Sequence, residues 1–179
     1  MNIPRIRAGG QVRRFHTIPT IGHQTVAEHS WGVAILILVL NPLASTELLR
    51  AALLHDVPEA DTGDMPAQVK WANPMLAHEL EEVEQTVMEE LDIVPLLTPA
   101  ERLFLKAADK LDGMWTCYEQ RCLGNKNMEI IFGRWLMSLD ALLASALLHE
   151  TLDKEQRHRI HECKDEITTL WKELTHGES

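Results

Sequence analysis

Residues 25–42 read TVAEHSWGVAILILVLNP, and this segment limits the possible folds more than any other. Thr25 and Glu28 stand at the spacing of a capping box, in which side chains and backbone satisfy each other at a helix start. Asn41-Pro42 supplies the stop, because proline cannot continue the hydrogen-bond ladder. Between them lies an apolar run, residues 33–40, that offers water no polar face. The run is too short to cross a bilayer, so it is expected as a fully buried helix. Covering such a helix on every side takes several other elements. The alternation of period two that marks strands is hardly present, so those elements should be helices as well.

The remaining sequence supplies them. A second helix is expected from Thr46 to about Val57, through Leu48, Leu49, Ala52 and Leu53, with Pro58 ending it. A loop with at most one helical turn follows, then a helix over about 74–92 with glutamates on its wet face. Thr98-Pro99-Ala100-Glu101 is another capping box, with proline at the first helical position. Its helix should run to about Leu123, with Gly124 as the C-cap. A fifth helix is expected over about 127–151, and a sixth from Asp153, capped with Gln156, to near Thr175. The fold class is therefore all-α, a compact helical bundle of about six helices forming one domain, 1–179. The stretch WLMSLDALLASALL, residues 135–148, has more apolar positions than one core stripe needs and reads as a contact between subunits.

The formal net charge of −10 argues against a polymeric nucleic acid as partner, since such proteins present a basic face. The three cysteines, Cys117, Cys122 and Cys163, are odd in number and form no C-x-x-C pair, which favours a reducing cytoplasm over a disulfide framework. The first residues, MNIPRIRAGGQVRRF, show no apolar leader segment.

The chemistry concentrates in ALLHDVPEADTGDMP, residues 52–66. One histidine and four carboxylates gather where a helix stops, and like charges crowded out of water need a counter-ion. His29 lies one turn before the apolar run, His55 and Asp56 end the second helix, and Asp109 is flanked by Leu105, Ala108 and Leu111 on the fourth. A lone inward histidine is more often a hydrogen-bonded core residue than a ligand. Two imidazoles and two carboxylates together suit a divalent first-row ion such as Zn, Mn, Fe or Co, with positions left for water and substrate. Taken alone, Glu59 and Asp64 would read as a polar loop turned by Gly63 and Pro66. Beside His55-Asp56 they read as functional acids.

The order H…HD…D, with Glu59 three residues after the HD pair, resembles the HD-domain phosphohydrolases. The segments RRF…TVAEHS, LLHDVPEADTGDMPAQVKWAN and LKAADKLDGMWTCYEQRCLGN resemble the 5′-deoxynucleotidase branch over about residues 13–125. Length and the wording RFHTIP…QTVAEHSWGVA are more similar to the phage dATP triphosphohydrolases of viruses that replace adenine by 2-aminoadenine. The resemblance implies His29, His55, Asp56 and Asp109 as metal ligands, and Glu59 and Asp64 as the catalytic acids. It implies Arg14 and Phe15 in place of the family's Arg-Trp pair, with phenylalanine a departure, and Lys70 as a phosphate contact. Thr17, Ile18 and Pro66 would shape the base pocket. Lys106 and Lys110 would add positive charge beside Asp109, unless they only form a solvated face.

The implied cofactor is Zn, Co or Mn, with Mg accompanying a triphosphate. The implied reaction releases deoxyadenosine and triphosphate from dATP; the alternative removes phosphate from deoxynucleoside monophosphates. The implied assembly is a homo-oligomer, a dimer or a hexamer, with no membrane partner, acting in the cytoplasm (that of a host cell if phage-encoded). An HD scaffold that has lost catalysis would lack a ligand, and a purely structural metal bundle would not need the extra acids.

Overall fold

In the computed structural model the described residues are 2–148 and 151–176. Helix α7 (Pro99–Cys122) is the axis on which most other elements pack. It begins at the capping box read from the sequence: the Glu101 N–H donates to the Thr98 hydroxyl at 3.2 Å, and the Thr98 N–H donates to the Glu101 carboxylate at 2.9 Å. Its inner face, from Phe104 through Ala107, Ala108 and Leu111 to Met114, is almost wholly out of water. Burying a side chain the size of Phe104 or Leu111 contributes about 1.5–3 kcal/mol.

Four long helices close around that face: α2 (Val26–Leu40), α3 (Thr46–Leu54), α8 (Met128–Leu148) and α9 (Lys154–His176). The sixth long helix, α6 (Pro74–Leu91), stands apart over a smaller apolar cluster of Val57, Val87, Leu91 and Ile93. Six long helices match the number expected, and the described residues contain no strand, only an isolated antiparallel bridge between Arg13 and Thr25.

Two short helices, α1 (Ile3–Gly9) and α5 (Ala67–Ala72), were not expected; α4 (Glu59–Thr62) is a single turn in the loop after Pro58. Asn2 caps α1 by accepting from the Arg5 N–H at 3.2 Å. Gly9 sits so close to the turn after α3 that a Cβ there would lie 2.7 Å from the Val57 carbonyl oxygen. Helix α3 ends at Leu54 rather than Val57. Pro58 has no N–H to give, so the chain tightens into i→i+3 bonds, Val57 to Leu54 and Glu59 to Asp56, both at 3.1 Å. That tightening turns His55, Asp56 and Glu59 inward together.

The apolar run of α2 is not fully buried, contrary to its sequence. Val33, Ile37 and Leu40 face the core, while Val39, Leu38 and Ile35 are 65%, 41% and 39% exposed. An apolar residue at every position removes the polarity contrast from which a buried face is read. In α8, Trp135, Leu139, Leu143 and Ala146 turn to the core, while Met137 and Leu147 lie outside. The segment Met128–Leu147 is long and apolar enough to cross a bilayer by length and composition; here one side of it packs against α7.

Candidate active site

The residues expected to hold a metal come together from three elements. His29, in the second turn of α2, is completely buried. Its Nδ1 donates to Oδ2 of Asp112 at 2.6 Å. Its Nε2 then faces Oδ1 of Asp109 at 3.2 Å and Oδ2 of Asp56 at 3.4 Å. His55 follows the last turn of α3 and donates from Nδ1 to the Ala52 carbonyl at 3.0 Å. A carbonyl oxygen only accepts, so this bond places the proton on Nδ1 and leaves the Nε2 lone pair 3.3 Å from Oδ1 of Asp56. The two rings lie 5.3 Å apart. One donor atom each from His29, His55 and Asp109 fall within 4.8 Å of one another.

Both Nε2 atoms are buried without a hydrogen bond. Leaving a buried polar atom unsatisfied costs about 1–3 kcal/mol. Two such nitrogens aimed at two carboxylates form a donor set that fits a divalent ion. Burial alone would raise the pKa of Asp109, but the close approach and charge of His29 and the charge of Arg14 hold it well below the ordinary carboxylate range. Burial opposes the charge on Asp56 too, and His55, His29 and Arg14 outweigh it, so its pKa is lowered.

Arg14 sits beside this cluster, nine-tenths buried. Its guanidinium is 3.9 Å from Asp109 and 3.8 Å from Asp112, and donates to Gln24 at 3.1 Å. Phe15 has φ of 56°, a left-handed conformation that is strained in a bulky residue. The Asp64 carboxylate holds it there by accepting the Phe15 N–H at 3.1 Å. Asp64 thus joins the acidic loop to the segment bearing Arg14, with His16 Nδ1 3.7 Å away. Glu59, the first residue of α4, is 5% exposed and has one oxygen without a hydrogen bond. Burial, then the charges of Asp56 and Asp64, push its carboxyl up to about 9.

Arg14 and the acids Asp56, Glu59, Asp64 and Asp109 open on one pocket, which His29 and His55 do not line. Arg14, Phe15, Thr17 and Ile18 form one wall; Asp56, Glu59, Asp64, Pro66, Lys70 and Asp109 line it with them. Lys110 does not line the pocket but stands over the Trp135 ring, 5.4 Å from its centre, and burial lowers its pKa. Lys106 is exposed and does not line the pocket. Asp61, which sequence alone would leave to solvent, pairs with Arg5, as does Glu90 at 2.8 Å. His158 makes an exposed pair with Glu162, as a solvated face would.

Ile131 and Trp135 of α8 also line the pocket, and neither was anticipated. Trp135 packs closely on α7 because Gly113 has no side chain: a Cβ there would be 2.9 Å from the indole ring. Asp112 was missed as well, although its i+3 spacing from Asp109 puts both on one helix face. Glu84 of α6 went unread too; burial, Asp56, Glu81 and Asp64 raise its carboxyl to about 7 against the pull of Lys70.

Comparison with known proteins gives a consistent result. The model of the family described as 5′-deoxynucleotidase YfbR-like matches residues 10–149. A 5′-deoxynucleotidase of Cronobacter sakazakii is 30% identical over 171 residues, covering 82% of this chain and 78% of its own. One from Photorhabdus laumondii is 26% identical over 147 residues, covering 69% and 75%. Among solved structures, the cyanophage S-2L HD phosphohydrolase DatZ, bound to dA and one catalytic Zn2+ ion, superposes with a TM-score of 0.74 at 18% identity, over 94% of this chain and 98% of that one. A protein from Pyrococcus horikoshii OT3 gives 0.70 at 19% identity, over 94% and 97%.

Proposed function

The chain belongs to the YfbR-like 5′-deoxynucleotidase family of HD-domain phosphohydrolases, and from that membership we propose that it hydrolyses the 5′-phosphate ester of a deoxynucleotide. As the substrate within that class we propose dATP, with deoxyadenosine and triphosphate as products. The observation that carries the hydrolytic reading is the pair of buried imidazole nitrogens without partners, facing Asp56 and Asp109 at the floor of a pocket walled by Arg14 and Glu59. His29, His55, Asp56 and Asp109 would hold the ion, a Zn, Co or Mn, with Mg on the triphosphate. Such an ion supplies positive charge and a water acidic enough to attack near neutral pH.

The side chains provide the rest. Arg14 offers a planar fork to phosphate oxygens, and Lys70 a second cation. Phe15, Ile18, Pro66, Ile131 and Trp135 offer the sugar and base apolar walls. Water adds to the α-phosphorus and the bond to O5′ breaks. Glu59, whose carboxyl is pushed up by burial and by the neighbouring acids, is the group placed to give a proton to the departing oxygen. The attacking water returns one, so one water is consumed per turnover. Asp64 accepts from the Phe15 N–H and keeps the Arg14 segment over the acids. Support for the triphosphate comes from the cations near the pocket: Arg14, Lys70 and Lys110 by Trp135. Catalysis would take place in the cytoplasm, in a homo-oligomer.

The second reading is removal of phosphate from deoxynucleoside monophosphates, which the names of the sequence relatives favour. Incubation with each dNTP and dNMP and Zn, Co, Mn or Mg separates the two. Triphosphate released from dATP supports the first, and inorganic phosphate from monophosphates the second. No turnover at full metal occupancy sinks both. His55→Ala and Asp56→Ala should each abolish activity and weaken metal binding; full activity in either rejects the ligand assignment.

A further inference from the structure

Gln24, just before the α2 cap, bridges two parts of the site with one amide. Its side-chain oxygen accepts from Nη1 of Arg14 at 3.1 Å. Its side-chain nitrogen donates to Oδ2 of Asp112 at 3.3 Å and to the Thr116 hydroxyl at 2.9 Å. Thr116 in turn donates to the Asp112 carbonyl at 3.0 Å. The backbone sets the geometry: the Arg14 N–H donates to the Gln24 carbonyl at 2.9 Å, beside the bridge of Arg13 to Thr25. The Asp112 oxygen that Gln24 holds is the one that accepts Nδ1–H of His29.

A second observation points to the same carboxylate. Gly32 lies one turn beyond His29 on the face of α2 that meets α7, and a Cβ there would fall 2.0 Å from Oδ1 of Asp112. Asp112 can reach His29 only because residue 32 has no side chain. The Asp112 side chain is 8% exposed, so its approach is fixed by its neighbours and not by solvent.

We propose that Gln24 is a positioning residue that couples the two halves of the site, holding the Arg14 fork for the substrate phosphate with its oxygen and, through Asp112, the orientation of His29 with its nitrogen. Partners that hold the distal nitrogen of a metal-bound histidine fix its tautomer and ring angle, and their loss typically weakens metal affinity about 10- to 100-fold. An amide suits the bridging position because it accepts and donates at once; a carboxylate would lack the donor and an amine the acceptor. The inference rests on reading His29 as a metal ligand and Arg14 as a phosphate contact.

The test uses the full chain, with Zn2+ affinity measured by chelator competition and inorganic phosphate affinity as a competitive inhibitor of the zinc-loaded enzyme. Gln24→Met keeps the volume and removes both hydrogen-bonding roles. It should weaken both affinities about tenfold or more. Gln24→Glu keeps the acceptor for Arg14 and loses the donor, so it should weaken zinc and spare phosphate. Gly32→Ala should weaken zinc and erase the exchange-protected Nδ1–H proton signal of His29, yet add nothing in an Asp112→Ala background. His55→Ala separates the two levels of the argument. If it leaves zinc affinity unchanged, the metal reading itself has failed. If it removes zinc binding while Gln24→Met leaves either affinity within twofold of the parent, the bridging role is overturned. Should Gln24→Met fail to fold, Gln24→Glu and Gly32→Ala decide by the same criteria.

Discussion

Glu59 begins α4 with its carboxyl almost wholly out of water and close to two other acids. Its pKa is raised from 4.5 to about 9, so between those values the folded protein keeps a proton that the unfolded chain has lost. Stability of the metal-free protein therefore falls as pH rises across that window. Glu59→Gln cannot ionise and should be the more stable protein at pH 8, with the gap closing near pH 5. Denaturant titration of the chelator-treated pair at both pH values checks this; a gap that does not change with pH would rule out the buried neutral acid. At this scale the sequence was informative where chemistry is unusual. His29, His55, Asp56 and Asp109 stood out as charge or imidazole on apolar helices, and the structure gathers them. Gln24 and Asp112 carry no such contrast: a glutamine before a cap and an aspartate before a glycine are ordinary until the fold brings them to His29 and Arg14.

At the level of elements, the six long helices were legible because capping chemistry is local. Thr25-Glu28 and Thr98-Glu101 both close as capping boxes. Thr98→Ala should cost about 1 kcal/mol, seen as a lower midpoint in thermal unfolding. Helices α1 and α5 are too short to show a period in the sequence and are fixed by tertiary contacts, such as Gly9 against Val57. The seam between α7 and α8 makes a stricter prediction. Gly113→Ala sets a methyl against the Trp135 ring, and overpacking of this kind costs about 1–3 kcal/mol. Since Trp135 walls the pocket, the same change should raise KM for the nucleotide more than it lowers kcat. An unchanged KM would mean that Trp135 does not touch substrate.

For the whole molecule, the misjudged feature was burial. Trp31, Ile35, Leu38 and Val39 leave an apolar stripe on α2, beside Leu43 at 92% exposure. Sequence placed the subunit contact on 135–148, where Met137 and Leu147 are exposed. If the chain assembles through α2, Trp31→Glu with Val39→Glu should lower the mass measured by light scattering, while Met137→Glu should not. The reverse result would return the contact to α8.

His29 and Asp112, joined by the shortest bond at the site, stand 83 residues apart in the chain. Around them the site draws on the segment before α2, the turn after α3, and α4, α7 and α8. No contiguous fragment contains it, so bringing its parts together requires nearly the entire topology, at the loop-closure cost that slows non-local folding. An ion bound there would act as a clasp on the finished tertiary structure, adding about 2.7 kcal/mol at a hundred times its dissociation constant. Metal supply would then set how much of this protein survives in the cell as well as how fast it works.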